Sequence, residues 1–240
     1  MHLLRRLALA AVLIVPGAAR AGDVANLDIL GFSADGGIFA FEEYGELDGS
    51  GDAYSNRFYI DTSTDRFVAG SPIRIRLEDD IGAIANARAQ SAAKGERIVP
   101  ATVLAANPGF LAGFNAITEY SADPTRMSVN PRPVFAPVDP PLEFRLEEFP
   151  LIAPVACENL GDIMGFRLTR INATHGGVTT VVHEDGSVPA SRRCPNGYRI
   201  GGIQTWINDN GAPKFAVLIA VRSMGFEGPD YRWIAVTGSL

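Results

Sequence analysis

The chain has 240 residues, is 47% hydrophobic and carries a formal net charge of −6. That length suits one large domain, or two small ones, with a real core. The acidity argues against nucleic acid and anionic lipid as partners, because gripping phosphate needs a basic face.

Residues 1–21 read as a secretory signal peptide. Arg5 and Arg6 form a positive start, and Leu7 to Val15 an apolar run too short to span a bilayer. Pro16 and Gly17 break that run, and Ala19-Arg20-Ala21 puts small residues where a signal peptidase reads. The two arginines lack the polar flank of a folded-protein export signal, so export unfolded is expected. Removing the segment takes away Arg5, Arg6 and Arg20 but no acid, which makes the remainder more acidic still. No second apolar run has the length of a membrane-spanning helix, and the longest, Phe215 to Val221, suits a buried strand. The expected location is the periplasm or the medium, with no membrane span.

Residues 27–76 read as antiparallel β. Leu27 to Ser33, Ile38 to Tyr44 and Arg57 to Asp61 are apolar runs separated by turn-forming residues. In Arg66 to Leu77, Ile73, Ile75 and Leu77 alternate with Arg74 and Arg76, the period of a half-buried strand. Four strands follow from this pattern. A helical insert is expected near 79–106. Asp79 and Asp80 suit a helix start, Ile81, Ile84, Ala85 and Arg88 have helical spacing, and Gly95 suits the end. Pro100 opens a second short helix before the turn triplet Asn107-Pro108-Gly109. Such an insert serves as an interaction site or, more simply, as the cover of a sheet.

Seven prolines between 131 and 154 exclude a regular helix or central strand through most of that stretch. Leu142, Phe144 and Leu146 alternate with charged residues, so one strand is embedded in it. This marks a crossover inside a single domain, residues 22–240, rather than a linker. Beyond it, Phe166 to Ile171 and Val178 to His183 read as a hairpin. Tyr198 to Ile207, Phe215 to Val221 and Arg232 to Val236 read as further strands, with Asn208-Asp209-Asn210-Gly211 as a turn.

Cys157 and Cys194 are the only cysteines. In an oxidising compartment a lone pair forms a disulfide, here one closing a long loop and contributing roughly 3–4 kcal/mol. No C-x-x-C spacing lowers a thiol pKa for redox work.

The two ends of the chain share a layout. Ile38-Phe39-Ala40-Phe41 leads through Gly45 and an acidic loop to Tyr54 and Arg57-Phe58. Leu218-Ile219-Ala220-Val221 leads through Gly225 and Glu227-Gly228-Pro229-Asp230 to Tyr231 and Arg232-Trp233. In each copy the arginine stands five residues before a threonine, Thr62 or Thr237. The pattern resembles a blade of TolB-like β-propellers, most closely at Phe32-Ser33-Ala34-Asp35-Gly36 and the strand that follows. A full propeller needs at least about four blades of roughly 40–45 residues, and only two copies are visible.

The mature chain also resembles a bacterial family of predicted secreted proteins with a domain of unknown function. The carrying runs are Leu30 to Tyr44, Tyr54 to Asp61, Cys194-Pro195-Asn196-Gly197-Tyr198-Arg199-Ile200 and Gly225 to Asp230. The resemblance implies export and a shared fold, but no activity, substrate or cofactor.

Chemistry-bearing motifs are scarce. Gly31-Phe32-Ser33-Ala34-Asp35 begins like a nucleophile elbow but lacks its final glycine, and no phosphate-binding glycine loop stands between a strand and a helix. His175 and His183 offer a metal too few ligands in a recognisable spacing. Two lysines against nineteen arginines suggest either an arginine-rich ligand site, which grips carboxylates and phosphates with two donors, or a compositional habit.

The candidate binding residues are Glu46, Asp48, Asp52 and Arg57 in the first copy and Glu227, Asp230 and Arg232 in the second. Asp48, Asp52 and their glycines offer hard oxygen ligands suited to calcium, or simply a solvated hairpin loop. Glu42 and Glu43 interrupt an apolar strand, so one of them faces inward and needs a partner such as Arg57 or Arg232. Trp206, Trp233, Tyr44, Tyr54 and Tyr231 are either groove residues for a sugar or peptide or ordinary packing.

The fold class expected is mainly β, with antiparallel blade-like four-stranded units at both ends and a small helical insert. The function expected is a non-catalytic binding or interaction protein whose partner is an envelope protein or glycan. The alternatives are a carboxylate-based hydrolase of envelope carbohydrate or peptide, and a purely structural module.

Overall fold

The computed structural model describes residues 22–78, 83–172, 174, 176–208, 211–226 and 228–240. The expected signal peptide, the expected helix start Asp79 to Ile81, His175, Asp209, Asn210 and Glu227 lie outside the described residues.

The chain is mainly β. The first sheet holds β1 (Asn26–Phe32), β2 (Ile38–Glu46), β3 (Ala53–Asp61), β4 (Arg66–Phe67) and β5 (Ile73–Leu77). Its order is β1-β2-β3, and both β4 and β5 pair with β3. Two short helices follow, α1 (Ala83–Gly95) and α2 (Ala101–Ala106). Next come β6 (Phe110–Phe114), β7 (Arg126–Val129), β8 (Leu142–Pro150), β9 (Met164–Asn172) and β10 (Thr180–Glu184). The chain ends with β11 (Pro195–Trp206), β12 (Lys214–Met224) and β13 (Pro229–Ser239). The second sheet runs β10-β9-β8-β7 and the third β13-β12-β11-β6.

These elements stack as four layers. In β12, Phe215, Val217, Ile219 and Val221 pack towards Phe144, Phe166 and Leu168 of the second sheet. The alternate residues Ala216, Leu218 and Ala220 pack towards Phe39, Phe41, Tyr54 and Phe58 of the first. The third sheet is therefore the central layer, and both faces of its middle strand are dry. This is why residues 215–221 read as an unbroken apolar run instead of an alternation. On the outer face of the first sheet, Ala40, Tyr59, Ile73 and Ile75 meet Ala87 and Leu104 of the helices.

The expected elements sit where the residue patterns place them, with three differences. The first sheet has five strands, because Arg66 to Leu77 is two strands and not one. Strands β6 and β7 are additional: burial in β6 has no regular period, and β7 alternates Met127 and Val129 with Arg126 and Ser128 over only four residues. The face of α1 that packs is Ala83, Ala87, Ser91 and Gly95. Ala85, expected on that face, points to solvent. Small residues spaced by four let the helix lie close to a sheet, and they score weakly as an amphipathic stripe.

The sheets do not close into a propeller. The two similar ends instead pack face to face through one shared core. The C-terminal unit takes its fourth strand, β6, from the middle of the chain. The arginines of the repeat also differ in role. Arg57 points to the helical side and bonds Glu42 at 3.1 Å. Arg232 lies over the Tyr54 ring at 4.9 Å.

The disulfide joins Cys157 to Cys194 with Cα atoms 5.4 Å apart. It ties the short helical turn Val155–Cys157 to the segment just after a second such turn, Ala190–Arg192. Among the described residues, no helix is long and apolar enough to cross a membrane.

Candidate functional site

The pairing of β2, β3 and β5 sets up the site. Residues directly opposite one another in a sheet share a face. Glu43, Asn56 and Arg74 form one such row, and Gly45, Tyr54 and Arg76 the next. Both rows point to the side of the third sheet. That sheet ends at β13, so it covers the β2 and β3 part of each row and leaves the β5 part open. Arg74 and Arg76 are accordingly exposed while Tyr54 is buried.

The gap beside β13 is a trough. Its first half encloses about 240 Å³, between Glu43, Tyr54, Asn56, Arg74 and Arg76 on one wall and Ser191, Arg192 and Arg193 on the other. Arg232, Trp233 and Ile234 form its floor. A second half of about 360 Å³ continues along Phe58, Phe67, Ile234, Ala235 and Val236 to Asp65 and His183. Phe58, Phe67, Ser191, Arg192 and Ile234 line both halves, so the two are continuous.

The floor is the free edge of a sheet, and its outward amides are mostly capped. Tyr231 N–H donates to the Asp23 carbonyl at 2.8 Å, as Asp23 to Ala25 run beside β13. Trp233 N–H donates to Glu43 Oε2 at 2.7 Å. Thr237 N–H donates to Asp65 Oδ1 at 2.7 Å. By the same alternation the Ala235 amide faces outward, into the second half of the trough. Two acidic side chains thus blunt an edge that would otherwise recruit a foreign strand.

Glu43 is buried, and its other oxygen accepts from Asn56 Nδ2 at 2.9 Å. Burial pushes its carboxyl pKa up, against the pull of the Trp233 amide, Asn56 and the charges of Arg232 and Arg74. Tyr54 is 3% exposed and its hydroxyl has no hydrogen-bond partner among the described residues. Burial raises the phenol well above its usual range. Gly45 makes the room for that hydroxyl, since a Cβ there would stand 3.2 Å from it.

Five arginines line the first half, and three are committed. Arg76 bonds Asp52. Arg232 bonds Asp23. Arg192 bonds Asp185 at 2.5 Å and lies over the Phe166 ring. Arg74 and Arg193 donate no side-chain hydrogen bond to a described residue, although the charge of Arg74 reaches Glu43. Arg193 adopts a left-handed backbone, φ 56°, next to the disulfide cysteine that holds the loop.

The far end of the trough is a polar junction. Asp185 accepts from Phe166 N–H at 3.0 Å and from His183 Nε2 at 3.0 Å. His183 Nδ1 stands 3.8 Å from Asp65. Burial works against the charged imidazole, but Asp185 and Asp65 outweigh it and the His183 pKa is raised. Burial likewise works against the Asp185 carboxylate, yet His183 and Arg192 carry its pKa below the usual range.

The two acidic loops lie side by side. A Cβ on Gly49 would stand 3.5 Å from the Phe226 ring. Asp230 accepts the Asp23 amide at 3.0 Å. Glu46 is exposed, and Asp48 and Asp230 are part-buried. Asp48, Asp230 and Asp23 stand near enough for Asp48 and Asp230 to help raise the Asp23 pKa, although burial is the larger cause. Among the described residues no three His, Cys, Asp or Glu side chains form a metal-holding group. Arg57 lies apart from the loops, on the helical side, where Glu42 bonds Arg57, Arg88 and Ser55. Both glutamates of the Glu42-Glu43 pair are therefore buried, one on each face.

Sequence reasoning noted the general arginine excess but not which arginines meet. The signal available was the Arg74, Arg76 alternation on β5 and the Arg192-Arg193 doublet beside Cys194. The aromatic candidates Trp206 and Trp233 are core residues, each 3% exposed.

No curated protein and no solved structure matches the chain. A family model described as "Predicted secreted protein (DUF2259)" matches residues 40–239, covering every strand from β3 to β13 and both walls of the trough. The chain belongs to that family of predicted secreted proteins.

Proposed function

We propose that this is an exported, non-catalytic binding protein that takes its ligand in the trough beside β13. The observation that carries this reading is the Tyr54 hydroxyl, buried and unpartnered in the trough lining. A buried hydroxyl without a partner costs about 1–3 kcal/mol, which a ligand oxygen or nitrogen reaching it would recover. Periplasm or medium, and an envelope protein or glycan as the source of that ligand, follow from export.

A hydrolase working through two carboxylates fits less well. Glu43 and Asp65 line the trough, but each already caps an amide of β13, and acid–base work needs a pair free to exchange protons. A purely structural module leaves the open wall of Arg74 and Arg193 without a role. Calcium on the Asp48 to Asp52 loop would compete with Arg76 for Asp52.

The test is a thermal-shift screen of the mature protein against envelope glycans, peptides, small acids and Ca²⁺. A true ligand raises the melting temperature in proportion to its concentration over Kd. Tyr54→Phe should weaken that ligand while leaving the free protein as stable or more so. A ligand indifferent to both Tyr54→Phe and a bulky residue at Ser191 would refute the trough as its site.

A further inference from the structure

The trough has two chemically distinct ends. At one, Arg74 on β5 and Arg193 beside the disulfide present guanidinium groups with no carboxylate of their own among the described residues. Beyond them the walls turn apolar through Phe58, Phe67, Ile234 and Val236. Phe67 is 43% exposed at that point, an aromatic surface that water meets at a cost.

The rest of the molecule is acidic, so a small cluster of uncompensated arginines focuses a local positive potential inside a partly desolvated gap. Arginine is suited to such a place because its planar fork meets the two oxygens of a carboxylate or phosphate. Glu43 is engaged through both oxygens, by the Trp233 amide and Asn56, and makes no hydrogen bond to Arg74.

We infer that the trough binds an amphiphilic anion, its carboxylate or phosphate head between Arg74 and Arg193 and its apolar chain lying along Phe58, Phe67 and Ile234. This rests on the trough being the binding site. The head-group charge and the apolar body are held together, so neither alone suffices.

Isothermal titration of the mature protein tests it, with octanoate, octyl phosphate, 1-octanol, octyltrimethylammonium, acetate and inorganic phosphate as probes. Octanoate or octyl phosphate should bind. Acetate and phosphate, which lack the apolar chain, and the alcohol and the cation, which lack the anionic head, should each bind at least about tenfold more weakly. Whichever acid binds more tightly identifies the head group. Arg74→Gln with Arg193→Gln should weaken the acid by about tenfold or more without lowering the melting temperature of the free protein. Ser191→Trp, at the junction of the two halves, should abolish binding.

Binding of 1-octanol as tight as that of the acids, or acids unaffected by the double variant, overturns the anion while leaving the trough as the site. Binding that survives Ser191→Trp overturns the trough itself. No binding by any eight-carbon probe overturns the amphiphile, with the thermal-shift screen still reporting on the trough.

Discussion

Glu43 and Glu42 are neighbours on one strand and are both buried, yet they live in different chemistry. Glu42 is surrounded by Arg57, Arg88 and Ser55 on the helical side. Glu43 has hydrogen bonds but no arginine bonded to it, and burial raises its pKa. A carboxyl with a raised folded pKa lends stability below its ordinary pKa and loses it as pH rises through the folded value. Glu43→Gln should therefore be as stable as the parent at neutral pH, or more so, and should flatten the fall in stability on the alkaline side of the carboxylate range. Glu43→Ala should cost about 2–4 kcal/mol, because Asn56 and the Trp233 amide lose their acceptor. Urea melts across pH settle both. An alanine variant as stable as the glutamine one would refute the capping role.

His183 obeys the same sign rule from the basic side. Its raised folded pKa means its contribution is complete below the ordinary histidine pKa, near 6.5, and is lost as pH climbs through the folded value. Asp185, with a lowered pKa, loses its contribution only as pH falls through the depressed value. Stability should decline as pH rises past about 6.5, and His183→Asn should remove that decline. NMR titration of the imidazole gives a direct check, and a midpoint below 6.5 would contradict the geometry.

At the scale of elements, the 190–193 turn matters most, because it carries Arg192 and Arg193 into the trough and is held from behind by the disulfide. Cys157→Ser with Cys194→Ser should lower stability by roughly 3 kcal/mol in the loop-entropy account. It should also weaken any trough ligand, because the wall is then less ordered. A double variant with full affinity would show that the turn is held by Arg192 and Asp185 alone.

Helix α1 owes its place to small residues. Ala87 is fully buried against the sheet. Ala87→Leu should cost about 1–3 kcal/mol by overpacking, whereas Ala85→Leu on the exposed side should be close to neutral. Chemical denaturation of the two variants decides it. Equal losses would contradict the assignment of the buried face. The sequence suggested that a helix covers the sheet, but one residue of its expected face, Ala85, points to solvent. Alanine and serine are buried on the packed face because they fit a tight gap, and hydropathy does not register fit.

At the scale of the whole molecule, one strand belongs to both cores. Leu218 of β12 packs towards the first sheet and Ile219 towards the second. Damage to either core reaches the same strand, so the mature protein should unfold in a single transition. Leu218→Ala and Ile219→Val should move that one transition, the first by about 2–5 kcal/mol and the second by about 0.5–1.5 kcal/mol. Tryptophan fluorescence reports on the first core through Trp206 and Trp233, and circular dichroism reports on all strands. Separated transitions by these two probes would show that the layers are independent.

Most of the strands were legible, because a strand with one or two dry faces must write its burial into an alternation or a run. The disulfide was legible because two cysteines bound for an oxidising compartment have little choice of partner. Export was expected from a local signal at the start of the chain, and the matched family is one of predicted secreted proteins. Strands β6 and β7 were hidden, since both are edge strands of only five and four residues, too short for a period to stand out. The propeller likeness was a local likeness of hairpins. Closure depends on how successive sheets sit, and here they stack.

The amino-acid sequence by itself determined the β content, the helical insert, the crosslink and the export address, all of which are local or compositional consequences of burial and chain chemistry. Only the tertiary structure decided that the third sheet ends at β13 and leaves Arg74 uncovered. It alone brought Arg193 across from a turn more than a hundred residues later. A trough made by the edge of one layer and a loop from another exists only after the layers are placed, and no run of residues encodes it.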